Sequence, residues 1–405
     1  MSPSQVVAPA TGTEFAAVVN PLAGPVPGVE VPTAEILAFH RRLPGYEPTP
    51  LLSLPALAER LEIGSLLVKV ESSRFGLPAF KMLGASWAVY KTLRERLGSD
   101  LEPWHDVDEL AQRLSALRPF TLVAATDGNH GRAVARMARL VGLGARVFVP
   151  SGTTDARIAG IAAEGAEVTV VPGNYDAAVA RSAEDEGPRS AVISDTSWPG
   201  YRDVPRWVSE GYSTMFTEID DALGAAGRRQ PDTVVVPIGV GALAAAAVEH
   251  GQRHGGRGAL VGVEPTDAAC ATASALAGEL VTLEGEQHSI MVGLNCGTPS
   301  PIAWPLISRG MAGFLTIGDE WARRAVRELA AVGVEAGETG AAALGGLDAL
   351  RDRGGPEALE RLFGPTADVL VLVTEGASDL AAWRRILGVE VVGAPVPGAP
   401  GPEAP

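Results

Sequence analysis

Lys81 lies between Phe80 and Met82, where a loop opening at Ser72 gives way to a helical pattern carried by Leu83, Val89, Tyr90 and Leu93. An ammonium among apolar neighbours is poorly solvated, so its pKa should fall and its amine becomes a usable nucleophile. That is the chemistry of a Schiff-base lysine; a lysine that snorkels at a helix start is the plainer alternative. Four other loops offer parts that could serve it. Thr126-Asp127-Gly128-Asn129-His130-Gly131 opens a helix over 132–140, where free main-chain amides suit a phosphate or carboxylate, although a DG turn with an Asn cap reads the same way. Asp195 ends a strand; it can act as a general base if Trp198 raises its pKa, or simply shape the turn before Pro199. Gly239-Val240-Gly241-Ala242-Leu243 contains neither Lys nor Arg, so a phosphate there would be held by amides and the helix dipole; tight strand–helix packing is the other use of two such glycines. Thr374, after the apolar run 369–373, could set a neutral hydrogen bond under a pyridine nitrogen, where an Asp would keep the ring protonated, or it could be a cap.

These loops need a scaffold that brings them together. Strand candidates fall at 66–71, 120–125, 145–150, 166–171, 190–194, 232–237, 259–264 and 367–373, most of them followed by a helical segment. The alternation predicts an α/β fold built on mostly parallel sheets covered by helices. Ligands in such sheets bind beyond the carboxyl ends of the strands, which is where every candidate loop lies. Residues 1–45, rich in proline and with a helix expected over 34–42, read as an arm over the body or over a partner subunit. The stretch 86–198 holds four strand candidates and reads as a small domain. Residues 46–85 and 199–392 would make a larger one, and 393–405, all but pure Pro, Gly and Ala, a disordered tail.

The balance of charge narrows the function classes. A net charge of −15 with no clustered Lys and Arg argues against nucleic acid or an anionic membrane as a partner. Cys270 and Cys296 form no CxxC pair, so neither a zinc site nor a disulfide framework is indicated. No apolar stretch reaches the ~18 residues of a membrane helix and no leader pattern opens the chain, so the expected location is cytoplasmic.

Taken together, ESSRFGLPAFKMLGAS, ATDGNHGRAVA, SDTSWPGY, PIGVGALA, GVEP, IMVGLNCGTPS and VTEG resemble, in the same order and over roughly 45–390, the tryptophan-synthase-β-like (fold type II) pyridoxal-phosphate (PLP) enzymes. Within them the chain is most similar to the diaminopropionate ammonia-lyase branch, marked by Asp127 in Thr126-Asp127-Gly128-Asn129-His130, where the superfamily usually has Ser-x-Gly-Asn-His. The resemblance implies two open sheets in a large and a small domain, with the cofactor in the cleft between them. It makes Lys81 the residue joined to the PLP aldehyde and Phe80 a wall of the pocket. Asn129 would bond the 3′-oxygen, Gly239, Val240, Gly241, Ala242 and Leu243 would form the phosphate loop, and Thr374 would face the pyridine nitrogen. Asp127 and Asp195 would act on α-protons from opposite faces, which allows D and L substrates alike.

The implied reaction is α,β-elimination of 2,3-diaminopropionate to pyruvate and ammonia, in a homodimer with no metal. A serine/threonine dehydratase or a β-substituting enzyme working through the same aminoacrylate is the alternative within the family. A PLP-binding protein without turnover is the alternative outside it. Ser73 and Pro78 stand where the family more often has Asn, which bears on the substrate.

Overall fold

Two apolar hexapeptides, Ser65–Val70 and Asp368–Val373, pair in parallel, with Ser65 opposite Asp368 and Val70 opposite Val373. Strands this uniformly apolar are buried on both faces. Leu67 packs toward one core while Leu66, Val68 and Val70 pack toward another. The single charge within the first hexapeptide, Lys69, is paired with Glu218 Oε2 at 2.7 Å.

The computed structural model describes residues 14–389 except 27, 29, 127, 257, 355–362, 364 and 365. The chain begins with β1 (Phe15–Val19), α1 (Thr33–Arg41), β2 (Leu51–Ser53), α2 (Pro55–Leu61), β3 (Ser65–Val70) and α3 (Lys81–Leu97). It continues through α4 (Val107–Arg113), β4 (Thr121–Ala125), α5 (Asn129–Leu140), β5 (Gly144–Pro150), α6 (Asp155–Ala162), β6 (Glu167–Val171), α7 (Tyr175–Ala183) and β7 (Ser190–Val192). Next come α8 (Asp203–Gly211), α9 (Ser213–Ala225), β8 (Thr233–Pro237), α10 (Ala242–Arg253), β9 (Ala259–Pro265), α11 (Cys270–Ala277) and α12 (Trp304–Gly310). The last elements are β10 (Gly313–Ile317), α13 (Asp319–Ala331), α14 (Glu338–Ala349), β11 (Asp368–Val373) and α15 (Leu380–Leu387).

The strands form a seven-stranded sheet in the order β1-β10-β9-β8-β11-β3-β2 and a four-stranded sheet in the order β6-β5-β4-β7. Every pairing is parallel except the two edges, β1 on β10 and β2 on β3. The fold is α/β with two parallel-rich sheets, as the alternation of strands and helices implies. The chain leaves the large sheet after β3, builds the small one, and returns through α8 and α9 to β8.

One apolar core joins the sheets. Leu67 and Leu372 of the large sheet, Leu122 and Ala124 of the small one, and the apolar face of α3 from Met82 to Leu93 belong to the same cluster. Helix α3 comes so close to α8 that a Cβ on Gly84 would stand 2.6 Å from Val208 O, and one on Gly211 would stand 2.5 Å from Leu83 O. Only glycine permits that approach.

Three strands escape the sequence pattern. They are β1 (FAAVV) in the N-terminal arm, β2 (LLS), which has no β-branched residue and lies in a proline-bounded stretch, and β10 (GFLTI). The expected helix over 34–42 is α1, one residue earlier, and its buried His40 bonds Leu83 O and Thr214 Oγ1. Strand β1 adds to the sheet edge, so described parts of the arm are stitched to the body. The tail over 393–405 lies outside the described residues. No described helix is long and apolar enough to cross a membrane.

Candidate active site

Because β3 and β11 are neighbours, the segments leaving their carboxyl ends stay together. Ala79 bridges Glu375, and Phe80 N–H donates to Thr374 O at 3.3 Å. Lys81, the first residue of α3, is thereby fixed beside Thr374 by main chain. From the small sheet, Asn129 begins α5 after β4, and Asp195 follows β7. Gly239, Val240, Gly241, Ala242 and Leu243 join β8 to α10. Phe80, Lys81, Asn129, Asp195, residues 239–243 and Thr374 all line one cleft between the two sheets. Asp127 lies outside the described residues.

Lys81 Nζ is 2.7 Å from Asp195 Oδ2, and the Tyr175 hydroxyl donates to Asp195 Oδ1 at 2.8 Å. Two expectations are corrected here. The pocket around Lys81 is not apolar, since its amine faces a buried carboxylate. Nor does Trp198 raise the Asp195 pKa: Trp198 stacks on Tyr201 with ring centres 4.0 Å apart. Burial pushes Asp195 up, but the Lys81 charge and the bonds from Lys81 and Tyr175 outweigh it and hold this carboxyl well below the usual range. Asp195 is therefore an ionised partner for a cation in the cleft. His130 is buried, which holds its imidazole below the ordinary value; the neutral ring donates from Nε2 to Ile193 O at 2.7 Å.

The 239–243 turn is shaped by close approach. Gly241 adopts φ +93°, and a Cβ on Gly239 would lie 3.0 Å from Gly293 O and 3.2 Å from Cys296 Sγ. The turn delivers the first amides of α10, which have no intrahelical acceptors, to the cleft. At its other side, Thr374 is 2% exposed and its Oγ1 has no hydrogen-bond partner among the described residues. A buried hydroxyl in that state calls for a ligand atom. Cys270 and Cys296 are buried and form no disulfide, with Cys296 on the cleft wall.

Two participants carry no local signal. Tyr175 follows the Asn174 cap of α7 and reads as an ordinary first-turn residue. Glu375 accepts from Asn129 Nδ2 and lies 3.7 Å from Arg157 Nη2, tying the end of β11 to the small sheet. Its place beside Thr374 is the one hint, visible only once the strand end is known.

A family model described as "pyridoxal-phosphate dependent enzyme" matches residues 42–375. The chain belongs to the pyridoxal-phosphate-dependent enzymes. Among relatives of this PLP enzyme, a diaminopropionate ammonia-lyase of Salmonella typhimurium is 36% identical over 363 residues, 84% of this chain and 88% of that one. The Escherichia coli diaminopropionate ammonia-lyase, solved in complex with an aminoacrylate-PLP azomethine reaction intermediate, has a TM-score of 0.82 at 31% identity, over 92% of this chain and 96% of that one. The same E. coli enzyme in complex with D-serine gives a TM-score of 0.83, again at 31% identity, with coverage of 92% and 96%. The residues of the cleft fit the family's cofactor on their own chemistry: an amine for its aldehyde, a lysine- and arginine-free amide cradle for a phosphate ester, and an orphaned buried hydroxyl for its ring nitrogen.

Proposed function

We propose that this PLP enzyme carries out α,β-elimination on 2,3-diaminopropionate, in the D form, the L form or both, yielding pyruvate and ammonia. The observation that carries the reading is the Lys81–Asp195 pair, 2.7 Å across, set in a cleft between an amide cradle and the Thr374 hydroxyl. Bound PLP supplies an electron sink that stabilises negative charge at the substrate α-carbon. The chain supplies everything else. Lys81 holds the cofactor and afterwards carries the proton at its Nζ. Asp195 stays ionised and favours a substrate with a second ammonium group, which serine and threonine lack. Tyr175 fixes the Asp195 oxygen that does not face Lys81. Phe80 would wall the site, Asn129 would bond the ring oxygen, the amides of Gly239, Val240, Gly241, Ala242 and Leu243 would receive the phosphate, and a neutral Thr374 hydroxyl would leave the ring uncharged.

Asp127 is proposed as the second carboxylate, acting opposite Asp195; its place in the ammonia-lyase motif supports the assignment. The same proposal divides the chain into an arm over 1–45, a large cofactor-binding domain over 46–85 and 199–392, and a small domain over 86–198, which the two sheets support. It places the enzyme in the cytoplasm as a homodimer acting on a small amino acid. The test is release of pyruvate and ammonia by the PLP-loaded protein from D- and L-diaminopropionate, serine and threonine. Diaminopropionate should be the preferred substrate by kcat/KM. A preference for serine or threonine would move the assignment to a dehydratase.

A further inference from the structure

At the far end of the helix that starts at the amide cradle, three side chains converge that the elimination chemistry does not use. We propose that Asp220, His250 and His254 form a binding site for a divalent transition-metal ion of the zinc type. His250 lies in the last turn of α10 and His254, four residues on, caps its end, which brings the two rings to the same side. Asp220, on the adjacent α9, meets both: its Oδ2 is 3.1 Å from His250 Nε2 and 3.1 Å from His254 Nε2. Its other oxygen, Oδ1, is held by Gln230 Nε2 at 2.7 Å and by His250 Nε2 at 3.0 Å. The imidazole of His250 is braced by Phe216, with ring centres 5.0 Å apart.

Two imidazole nitrogens directed at one carboxylate oxygen are a donor set that suits zinc, nickel, cobalt or copper and disfavours magnesium or calcium. The spacing fits as well. In a tetrahedron with metal–ligand bonds of about 2.0–2.1 Å, the donors stand about 3.3 Å apart, so the two Asp220–histidine separations of 3.1 Å need only open by a few tenths of an ångström, and all three donor atoms already lie within 4.8 Å of one another. The His254 and Asp220 side chains are 34% and 31% exposed, which lets water take the fourth position. Arg253, next along the helix, is the opposing feature, because its charge also acts on Asp220. The helix length of about 18 Å at 1.5 Å per residue separates this site from the cleft, so the ion would clip α9 to α10 rather than join the chemistry.

The test uses the full-length, PLP-loaded protein, stripped with a chelator and titrated with Co2+ and then Zn2+. One ion per chain should bind, with the visible absorption of tetrahedral Co2+ and a rise in melting temperature on adding Zn2+. Both signals should vanish in His254→Ala, an exposed position, and in Asp220→Asn, which keeps the side-chain shape. Both should survive in a double variant, His105→Ala with His288→Ala, which removes the two exposed histidine–glutamate pairs. Equal binding by the wild type and His254→Ala, loss in the double variant, or no saturable binding would each overturn the site. No readout depends on turnover, so failure here leaves the proposed elimination untouched.

Discussion

The charge state of Lys81 and Asp195 is a property of the pair and not of either residue's surroundings in sequence. Lys81→Ala should abolish turnover together with the visible cofactor band; retention of either would remove the lysine from its proposed role. Tyr175→Phe deletes one hydrogen bond to a charged acceptor, an interaction worth roughly 1.5–3 kcal/mol, so kcat/KM should fall about ten- to a hundredfold while the band at Lys81 persists. Equal loss of the band and the rate would make Tyr175 a cofactor contact instead. Much of this site was legible because Lys81, Asn129, residues 239–243 and Thr374 each lie on the segment that leaves a different strand. What was hidden came from partners distant in the chain: the ionised state of Asp195 depends on Lys81, 114 positions away, and Tyr175 and Glu375 matter only through residues the fold carries to them.

At the scale of elements, α3 is held in register by what touches its first turn. His40 on α1 is fully buried, with Nε2–H donating to Leu83 O at 2.9 Å and Nδ1 accepting from Thr214 at 2.7 Å. Burial, first of all, lowers its pKa to about 3 from an ordinary 6.5, against the pull of the Leu83 bond. The unfolded chain therefore takes up a proton that the folded one refuses between these values. The contribution to stability is complete above pH 6.5 and drains away as pH falls toward 3, on the order of 3 kcal/mol by pH 4. Urea midpoints measured against pH should fall more steeply for the wild type than for His40→Gln; parallel curves would contradict the neutral buried ring. Gly211→Ala, which forces a Cβ against Leu83 O, should cost roughly 1–3 kcal/mol and loosen cofactor binding by shifting the start of α3. A drop in melting temperature with unchanged PLP affinity would separate α3 packing from the site. Helix α3 itself was readable from its apolar spacing, but its partner α8 was not, since a glycine contact across two helices leaves no periodic trace.

At the scale of the molecule, the local pattern predicted two sheets and most of their strands. It did not reveal the order β1-β10-β9-β8-β11-β3-β2, because β3 and β11 pair across a long stretch of chain, Ser65 opposite Asp368, and the edge strands β1 and β2 are short. The shared core through α3 has a mechanical consequence. Although the sheets are separate, the same buried cluster contains side chains of both, so loosening one exposes the other. Chemical denaturation followed by tryptophan fluorescence and by far-ultraviolet dichroism should give coincident single transitions; two resolved steps would mean that the sheets are independent units.

The main-chain contacts between 79–80 and 374–375 carry a practical implication for altering the enzyme. Backbone, not side chain, sets the spacing between residues 81 and 374, so replacing Thr374, proposed to lie under the ring nitrogen, would exchange one end of that ruler's chemistry without changing its length. Variants at this single position offer a dial on electron withdrawal, and sorting them by product would show how far one fold can be steered from losing a substituent toward swapping it.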